Sequence, residues 1–207
     1  MNIDSSPASL NETLRTIVNR RSIRRFANLD VPGAWVSVLL DAANRAPSAH
    51  NQQAWRFVVV RGRTKDELAA LAAAKAADFP RPASVLLRMA ARSISTAPLV
   101  IAVANTGGLI KHGQDLFQLE DARSFDFFRT MEIQSSAAAV ENLLLAATSL
   151  GLATVWLGIL FLIKDEVLRF LGEPKGEFMA VIPVGYPAAE TAAPKKRPLS
   201  ALVRTIE

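Results

Sequence analysis

The sequence predicts a single domain of the α+β or α/β class, built from strands that are separated by helices. Two stretches, 98–104 and 178–184, are apolar without alternation, which is typical of strands buried on both faces. Elsewhere, apolar residues recur at helical spacing. The chain has 207 residues, half of them hydrophobic, and no linker-like segment divides it, so we expect one domain over residues 1–207.

Two helices and a strand are predicted in the N-terminal part of the chain. Ser9 and Glu12 have capping-box spacing and open a helix that leads to Arg20. A second helix over 34–45 ends before a proline, and a strand follows at 56–61. The predicted inward face of the second helix consists of Trp35, Val38, Leu39 and Ala42.

Two further helices lead to the first buried strand. Thr64 and Glu67 repeat the capping-box spacing and open an alanine-rich helix. Prolines break the chain within 79–82, and another helix is predicted over 84–95. The strand at 98–104 follows directly.

The helical and strand patterns are lost at 105–123, where paired glycines stand among charges of both signs. We expect this segment to be a mobile excursion, with a possible role as a lid. A long helix is predicted over 124–150, and it is apolar nearly all round after Ser136. Such a helix must be covered on most sides, by the protein's own core or by another subunit.

Residues 143–163 contain no charge and are numerous enough to cross a bilayer. A membrane span is the less favoured interpretation, because Gly151 stands where a helix ends and a β-branched, aromatic stretch at 153–159 predicts a buried strand. A short helix over 164–171 and the strand at 178–184 complete the ordered part. From residue 187 onwards we expect an extended C-terminal tail.

The composition excludes several classes of site. The chain has no cysteine, so disulfides, thiolate catalysis and cysteine-based metal sites are excluded, and His50 and His112 lack metal-ligand spacing. The net charge of +5 favours anionic ligands, but the basic residues are spread out and no basic–aromatic motif for nucleic acid is present. The first residues lack the apolar core of a signal peptide. We therefore expect a cytoplasmic protein without nucleic-acid, membrane or metal partners.

Four arginines and a serine crowd the segment 20–25, directly before Phe26. The planar guanidinium matches two phosphate oxygens at a time, so this segment predicts a phosphate-binding site. A basic cap at the C-terminus of the preceding helix is the alternative. The segment 46–55 is rich in amides and hydroxyls and precedes the strand 56–61, which favours a polar pocket beside a phosphate site. A glycine-rich dinucleotide-binding motif is absent from the sequence.

Four stretches, in this order, resemble the FMN-dependent nitroreductase family over nearly the whole chain. They are R-R-S-I-R-R-F at 20–26, A-P-S-A-H-N-Q-Q-A-W-R-F at 46–57, A-A-A-V-E-N-L-L-L-A-A-T-S-L-G-L-A-T-V-W-L-G at 137–158, and I-P-V-G-Y-P with K-K-R-P-L within 182–199. The resemblance implies a three-layer sandwich of the α+β class with a mixed central sheet flanked by helices. It also implies an intertwined homodimer with FMN bound at the interface.

The resemblance assigns FMN contacts to four groups of residues. Contacts with the phosphate, ribityl chain and ring edge of FMN are assigned to Arg20, Arg21, Ser22 and Arg24. The pocket wall, supplied at least partly by the other subunit, falls to Ser48, Asn51 and Gln53. Leu157, Gly158 and Ile159 are assigned to the turn beside flavin N5. Lys196 and Arg197 are assigned to a contact between the tail and the phosphate. Ala54 stands where the family has a proline, so the loop geometry can differ there.

The implied activity is a ping-pong oxidoreduction, in which NAD(P)H gives hydride to flavin N5 and a nitroaromatic, quinone or enone takes up the electrons. No acid or base side chain is assigned. Specialised activities on the same fold remain as alternatives: a reductive dehalogenase, a flavin-destroying enzyme or an enzyme of deazaflavin chemistry. A non-catalytic flavin-binding protein is a further alternative.

Overall fold

A computed structural model describes residues 11–118 and 121–206. Within these ranges it contains seven α-helices and four strands. The helices are α1 (Glu12–Asn19), α2 (Gly33–Asn44), α3 (Gly62–Lys75), α4 (Ala83–Thr96), α5 (Gly108–Phe117), α6 (Ala122–Ser149) and α7 (Lys164–Phe170). The strands are β1 (Trp55–Arg61), β2 (Leu99–Asn105), β3 (Ala153–Thr154) and β4 (Glu177–Gly185). Short 3₁₀ segments cover Ala49–Asn51, Ala76–Asp78, Gly158–Ile163 and Leu199–Ala201.

The four strands form one sheet in the order β1-β2-β4-β3, and each neighbouring pair is antiparallel. Ile101 of β2 lies at the centre, paired with Val59 on one side and Ile182 on the other. Within the described ranges, parallel pairing is limited to an isolated bridge between Ser22 and Thr154. The α+β class is confirmed, whereas the mixed character predicted for the sheet is confined to that bridge.

Helices cover both faces of the sheet, which confirms the three-layer arrangement. On one face, Val100 and Ala102 pack with α3, α4, α7 and the 158–163 segment. On the other face, Leu99 and Ile101 pack with α2 and α6. Alternate residues of β2 thus enter two separate cores, which is why this strand is apolar without alternation. Each fully buried Leu or Ile contributes about 1.5–3 kcal/mol to folding.

Two N-terminal predictions need correction. Helix α1 begins at Glu12, and its N-cap is Asn11, whose Oδ1 accepts the Leu14 N–H at 2.9 Å. The predicted cap Ser9 lies outside the described residues. On α2 the buried side chains are Val36, Leu39 and Ala43, whereas Val38 is half exposed. Leu39 is buried as predicted, and Trp35 and Ala42 are half-buried, so the buried stripe is shifted by about one residue toward Val36 and Ala43.

The long helix ends as predicted, but the strand after it is shorter. Leu150 follows α6, and Gly151, with φ of 72°, turns the chain in a left-handed conformation that glycine adopts without strain. Strand β3 then comprises only Ala153 and Thr154, so the predicted strand at 153–159 is wrong beyond Thr154. Among the helices of residues 11–118 and 121–206, none is sufficiently long and apolar to span a membrane.

The segment predicted to be an irregular excursion contains helix α5. This helix packs on α6 through Leu109 and Gly113, the two residues it buries. Two buried residues, one of them a glycine, do not produce an apolar pattern with helical spacing. The helix was therefore not predicted from the sequence. Whether the segment moves stays a prediction.

Substitution of Gly113 by alanine tests the packing of α5. A Cβ at this position would overlap Cδ1 and Cε1 of the buried Phe128 ring. We expect the variant to lose about 1–3 kcal/mol of stability, because the ring or the helix must shift. In hydrogen-exchange measurements, amides of α5 should lose protection while those of β2 keep it. Gly33→Ala is the control, since a Cβ there meets nothing within 4 Å; equal α5 protection in both variants would contradict this packing.

Candidate functional site

The arginine-rich segment runs along the short edge strand of the sheet. The Ile23 N–H donates to the Thr154 carbonyl at 2.9 Å, beside the parallel bridge of Ser22. Phe26 is buried and forms an antiparallel bridge with Pro187. The segment is therefore fixed between the end of α1 and β3. Strand β3 ends three residues before Leu157, where the next turn begins.

Arg21 serves the end of α1. Its Nη1 donates to the carbonyls of Val18 at 2.6 Å and Arg20 at 2.9 Å, which are unsatisfied groups of the helix C-terminus. The interpretation of a basic helix cap thus holds for this arginine. Its Nε is buried without a hydrogen-bond partner among the described residues, so one donor remains for a ligand.

Arg20 and Arg24 have donors to spare. Nε of Arg20 lies 3.7 Å from the half-exposed carboxylate of Glu141 on α6. Nη1 of Arg24 donates to the Ser22 carbonyl at 3.3 Å, and both residues are exposed. The single carboxylate partly offsets the cluster, so the segment presents a net positive charge that an anion can neutralise.

The turn at 157–159 exposes backbone. Leu157 is buried, and its N–H donates to the Val181 carbonyl of β4 at 3.0 Å. Gly158 is exposed, and a Cβ built on it would meet nothing within 4 Å. A flat ligand can therefore approach the main chain closely at this point.

The polar segment 48–53 is held in an unusual backbone conformation. His50, Asn51 and Gln53 all have left-handed φ, of 52°, 52° and 48°. The Ser48 hydroxyl accepts the Gln53 N–H at 3.1 Å, and the Gln53 amide donates to Asn51 Oδ1 at 3.0 Å. Non-glycine residues in this region cost energy, and such strain is concentrated at functional sites. The strained loop supports a binding role for this segment.

The two predicted halves of the site lie on different sides of α6. The Ala49 N–H donates to Ser135 Oγ at 3.1 Å, whereas Arg20 faces Glu141 on the same helix. Residues six positions apart on an α-helix are separated by about 9 Å along the axis and about 120° around it. The structure thus brings the arginine segment to Thr154, three residues before the 157–159 turn. No hydrogen bond or ion pair within residues 11–118 and 121–206 joins the 48–53 segment to either of them.

The C-terminal tail contacts the arginine segment and then extends away from the body of the protein. The Ala188 N–H donates to the Arg25 carbonyl at 3.2 Å, and residues 188–206 are exposed. Arg197 donates to the Ala201 carbonyl at 3.3 Å, and no contact recorded for residues 11–118 and 121–206 joins Lys196 or Arg197 to the arginine segment. The large apolar side chains of the tail are exposed: Leu199, Leu202, Val203 and Ile206.

Helix α5 contacts the polar segment, which the sequence did not predict. The rings of His50 and His112 lie 5.5 Å apart edge to face, and Phe117 lies 6.5 Å from His50. The two histidines are the only ones in the chain, but their 62-residue separation gave no sign of contact. The 105–118 region is therefore placed beside the predicted pocket wall.

The chain is similar to known proteins in sequence and in fold. The family model described as "Nitroreductase family" matches residues 17–186. An NADH dehydrogenase of Thermus thermophilus is 30% identical over 203 residues, covering 90% of this chain and 92% of that protein. A 5,6-dimethylbenzimidazole synthase of Rhodospirillum rubrum is 29% identical over 187 residues, covering 85% and 82%. A crystal structure of a nitroreductase-like protein from Desulfovibrio desulfuricans, in complex with FMN, is 29% identical, with a TM-score of 0.71 and coverage of 96% and 98%.

Proposed function

Since this chain belongs to the nitroreductase family, we propose that it is an FMN-dependent oxidoreductase. It takes reducing equivalents from NADH or NADPH and delivers them to a small oxidised acceptor, such as a nitroaromatic, quinone or enone, by a ping-pong mechanism. It works as a cytoplasmic homodimer. The observation that carries the proposal is the arginine segment held against β3 at Thr154, four residues before the exposed Gly158.

The residues present fit FMN in charge and in shape. Arg20 and Arg24 keep free donors, and the buried Nε of Arg21 has no partner among the residues described. These groups match a phosphate, which carries about two negative charges. The bound flavin supplies the redox chemistry, accepting and passing on two electrons. The protein's own contribution is to bind the phosphate, to place the main chain of Leu157 and Ile159 beside the ring, and to exclude water.

The position of the polar segment supports the homodimer. Ser48, Asn51 and Gln53 lie on another side of α6 from the arginine segment, so a second copy is needed to complete the pocket. The tail with Lys196 and Arg197 is exposed on its own protomer, and its apolar side chains gain cover from a partner. In this arrangement the two tail cations reach the phosphate from across the interface.

A flavin-destroying activity is the second candidate. The specific observation behind it is the similarity to the R. rubrum protein that is named a 5,6-dimethylbenzimidazole synthase. Both activities start from the same cofactor site, so the fate of the flavin separates them. Steady turnover with the flavin intact favours the oxidoreductase.

The proposed function predicts a coloured protein that NAD(P)H bleaches. After loading with FMN and removal of free cofactor, the absorbance spectrum should show flavin bands near roughly 370 and 450 nm. Anaerobic addition of NADPH, and separately of NADH, should bleach the longer band with at least one of the two. A nitroaromatic or quinone should then restore it. A protein that stays colourless after incubation with FMN contradicts the proposal.

A further inference from the structure

A cavity of about 490 Å³ lies between the start of α5, the first half of α6, α7 and the start of β4. None of the residues that the resemblance assigns to FMN lines it. Its apolar walls include Phe125, Leu168 and Phe178, and its charged lining includes Arg129, Glu132 and Glu177. The proposed function gives this cavity no role.

Glu132 stands out among the groups that line the cavity. It is 1% exposed, and neither carboxylate oxygen completes a hydrogen bond with any part of the chain that the structure describes. The N–H groups of 107–109, at the start of α5, face the carboxylate and favour its charged form. Burial nevertheless dominates and raises the pKa of Glu132 to about 7. A buried carboxyl group with unused oxygens costs free energy unless a donor reaches it.

The second carboxyl group in the cavity is also incompletely paired. Oε1 of Glu177 accepts from the guanidinium of Arg129, with Nε at 2.8 Å. Oε2 of Glu177 is buried and has no partner among the described residues. When Glu132 and Glu177 are both ionised, Arg129 compensates only one of the two negative charges. These three groups therefore have an excess of acceptors and a summed charge of −1, whereas Lys111, Lys164, Lys175 and Asp165 bring the whole lining to +1.

Other charged groups face the cavity from α5, α7 and the loop before β4. Lys111 is held by Asp115 at 2.8 Å, and Lys164 lies 4.8 Å from the centre of the Phe161 ring. The remaining charged groups of the lining are Asp165 and Lys175. Within residues 11–118 and 121–206, no three acidic, histidine or cysteine side chains come together as a metal site would require. The unused oxygens can accept hydrogen bonds from a bound donor.

We propose that this cavity binds a small organic cation, a primary amine or amidine on an apolar body, with its N–H groups donating to the carboxylate of Glu132. The apolar body packs between Phe125, Leu168 and Phe178, and the cation supplies the donors that Glu132 and Glu177 lack. An anion of the same size would face the unused carboxylate oxygens at the inner end. This site goes beyond the proposed oxidoreductase function, since its residues are separate from those assigned to the cofactor.

The test uses benzamidine as the cationic probe and benzoate as its anionic counterpart. Calorimetric titration of the FMN-loaded protein should show saturable binding of benzamidine, with a Kd below about 1 mM at pH 8. Because the cation binds ionised Glu132, its affinity should rise about tenfold between pH 6 and pH 8. Titrations in buffers of different ionisation enthalpy should detect proton release on binding near pH 6.5. Benzoate should not bind.

The Glu132→Gln variant should lose at least about tenfold in benzamidine affinity at pH 8, together with the pH dependence. Asp126→Asn is the matched control, since it removes one carboxylate from an exposed position of the same helix. It should bind benzamidine like the wild type. Absence of saturable binding, equal binding of benzoate, or an affinity that Glu132→Gln leaves unchanged would overturn the proposal. The proton-release measurement uses only the wild type, so it tests the proposal even if the Glu132→Gln variant folds poorly.

Discussion

Replacing Glu132 with glutamine is expected to stabilise the protein by about 2–3 kcal/mol at pH 8 and to leave its stability nearly unchanged at pH 4.5. The reason is the burial of a carboxyl group whose pKa is raised from 4.5 to about 7 in the folded state. Glutamine keeps the shape of the side chain and removes the charge. The variant therefore lacks the free-energy cost of burying an ionised carboxylate, which destabilises the wild type.

The direction of the pH dependence follows from the proton count of the two states. Between pH 4.5 and about 7 the unfolded chain has released the proton of Glu132, whereas the folded chain still holds it. Stability of the wild type therefore falls as the pH rises through this window, and the full penalty of about 3 kcal/mol is present above it. Below pH 4.5 the group is neutral in both states, and the two proteins should be alike.

Urea unfolding at several pH values, without added amine, measures this difference. The free energies of unfolding of wild type and Glu132→Gln should diverge steadily between pH 4.5 and about 7. The exposed Asp126→Asn variant should follow the wild type at every pH. A variant that is destabilised at pH 8 would show that the charged form of Glu132 is paired in solution, contrary to the structure.

The elements that could be predicted from the sequence are those whose residues are buried in apolar surroundings on every side. Ile101 and its neighbours are apolar in both directions of the pleat, so the sequence alone indicated a strand buried on both faces. Leu143 and Leu144 likewise lie on a helix with little polar surface. In such elements the choice of residue is dictated by burial, and burial leaves a clear pattern.

The errors occur where few side chains decide the structure. Helix α5 is anchored by Leu109 and Gly113, too few positions to give a period. Val38 was placed in the core of α2 because it is apolar, but the partner elements reach Val36 instead. After Thr154 a run of β-branched and aromatic residues leaves the sheet, although Leu157 and Trp156 still donate to the Val181 and Met179 carbonyls of β4. Tertiary contacts override local propensity in these three cases.

The candidate site was predictable as a set of residue types but not as a geometry. The motif around Ser22 indicated a phosphate site, yet the cap formed by Arg21 on α1 depends on the angle at which the chain leaves the helix. The left-handed backbone at Gln53 has no signal in the sequence, and an asparagine such as Asn51 gives only a weak one. Glu132 was not identified, since a lone glutamate in a helix is usually solvated.

Removing the side chains of Arg20 and Arg24 together is expected to weaken FMN binding by roughly a thousandfold, about 4 kcal/mol. Both arginines flank Ser22, which bridges Thr154 of the edge strand, and both have donors that the protein does not use. Each charge-assisted bond to a phosphate contributes about 1.5–3 kcal/mol. The double variant Arg20→Ala/Arg24→Ala should leave a gel-filtration column without flavin, whereas the wild type retains it.

The control must separate phosphate recognition from general electrostatic attraction. Arg88→Ala/Arg92→Ala removes the same two charges from exposed positions of α4, so it lowers the net charge equally and should keep FMN. Fluorescence titration of both double variants at two salt concentrations then tells the contributions apart, because long-range attraction is screened while direct phosphate contacts persist. If Arg20→Ala/Arg24→Ala retains FMN stoichiometrically, the assignment of these two arginines is wrong. The arginine segment would then serve α1 and β3, as Arg21 and Ser22 already do, and the phosphate would have to be held from the partner's tail.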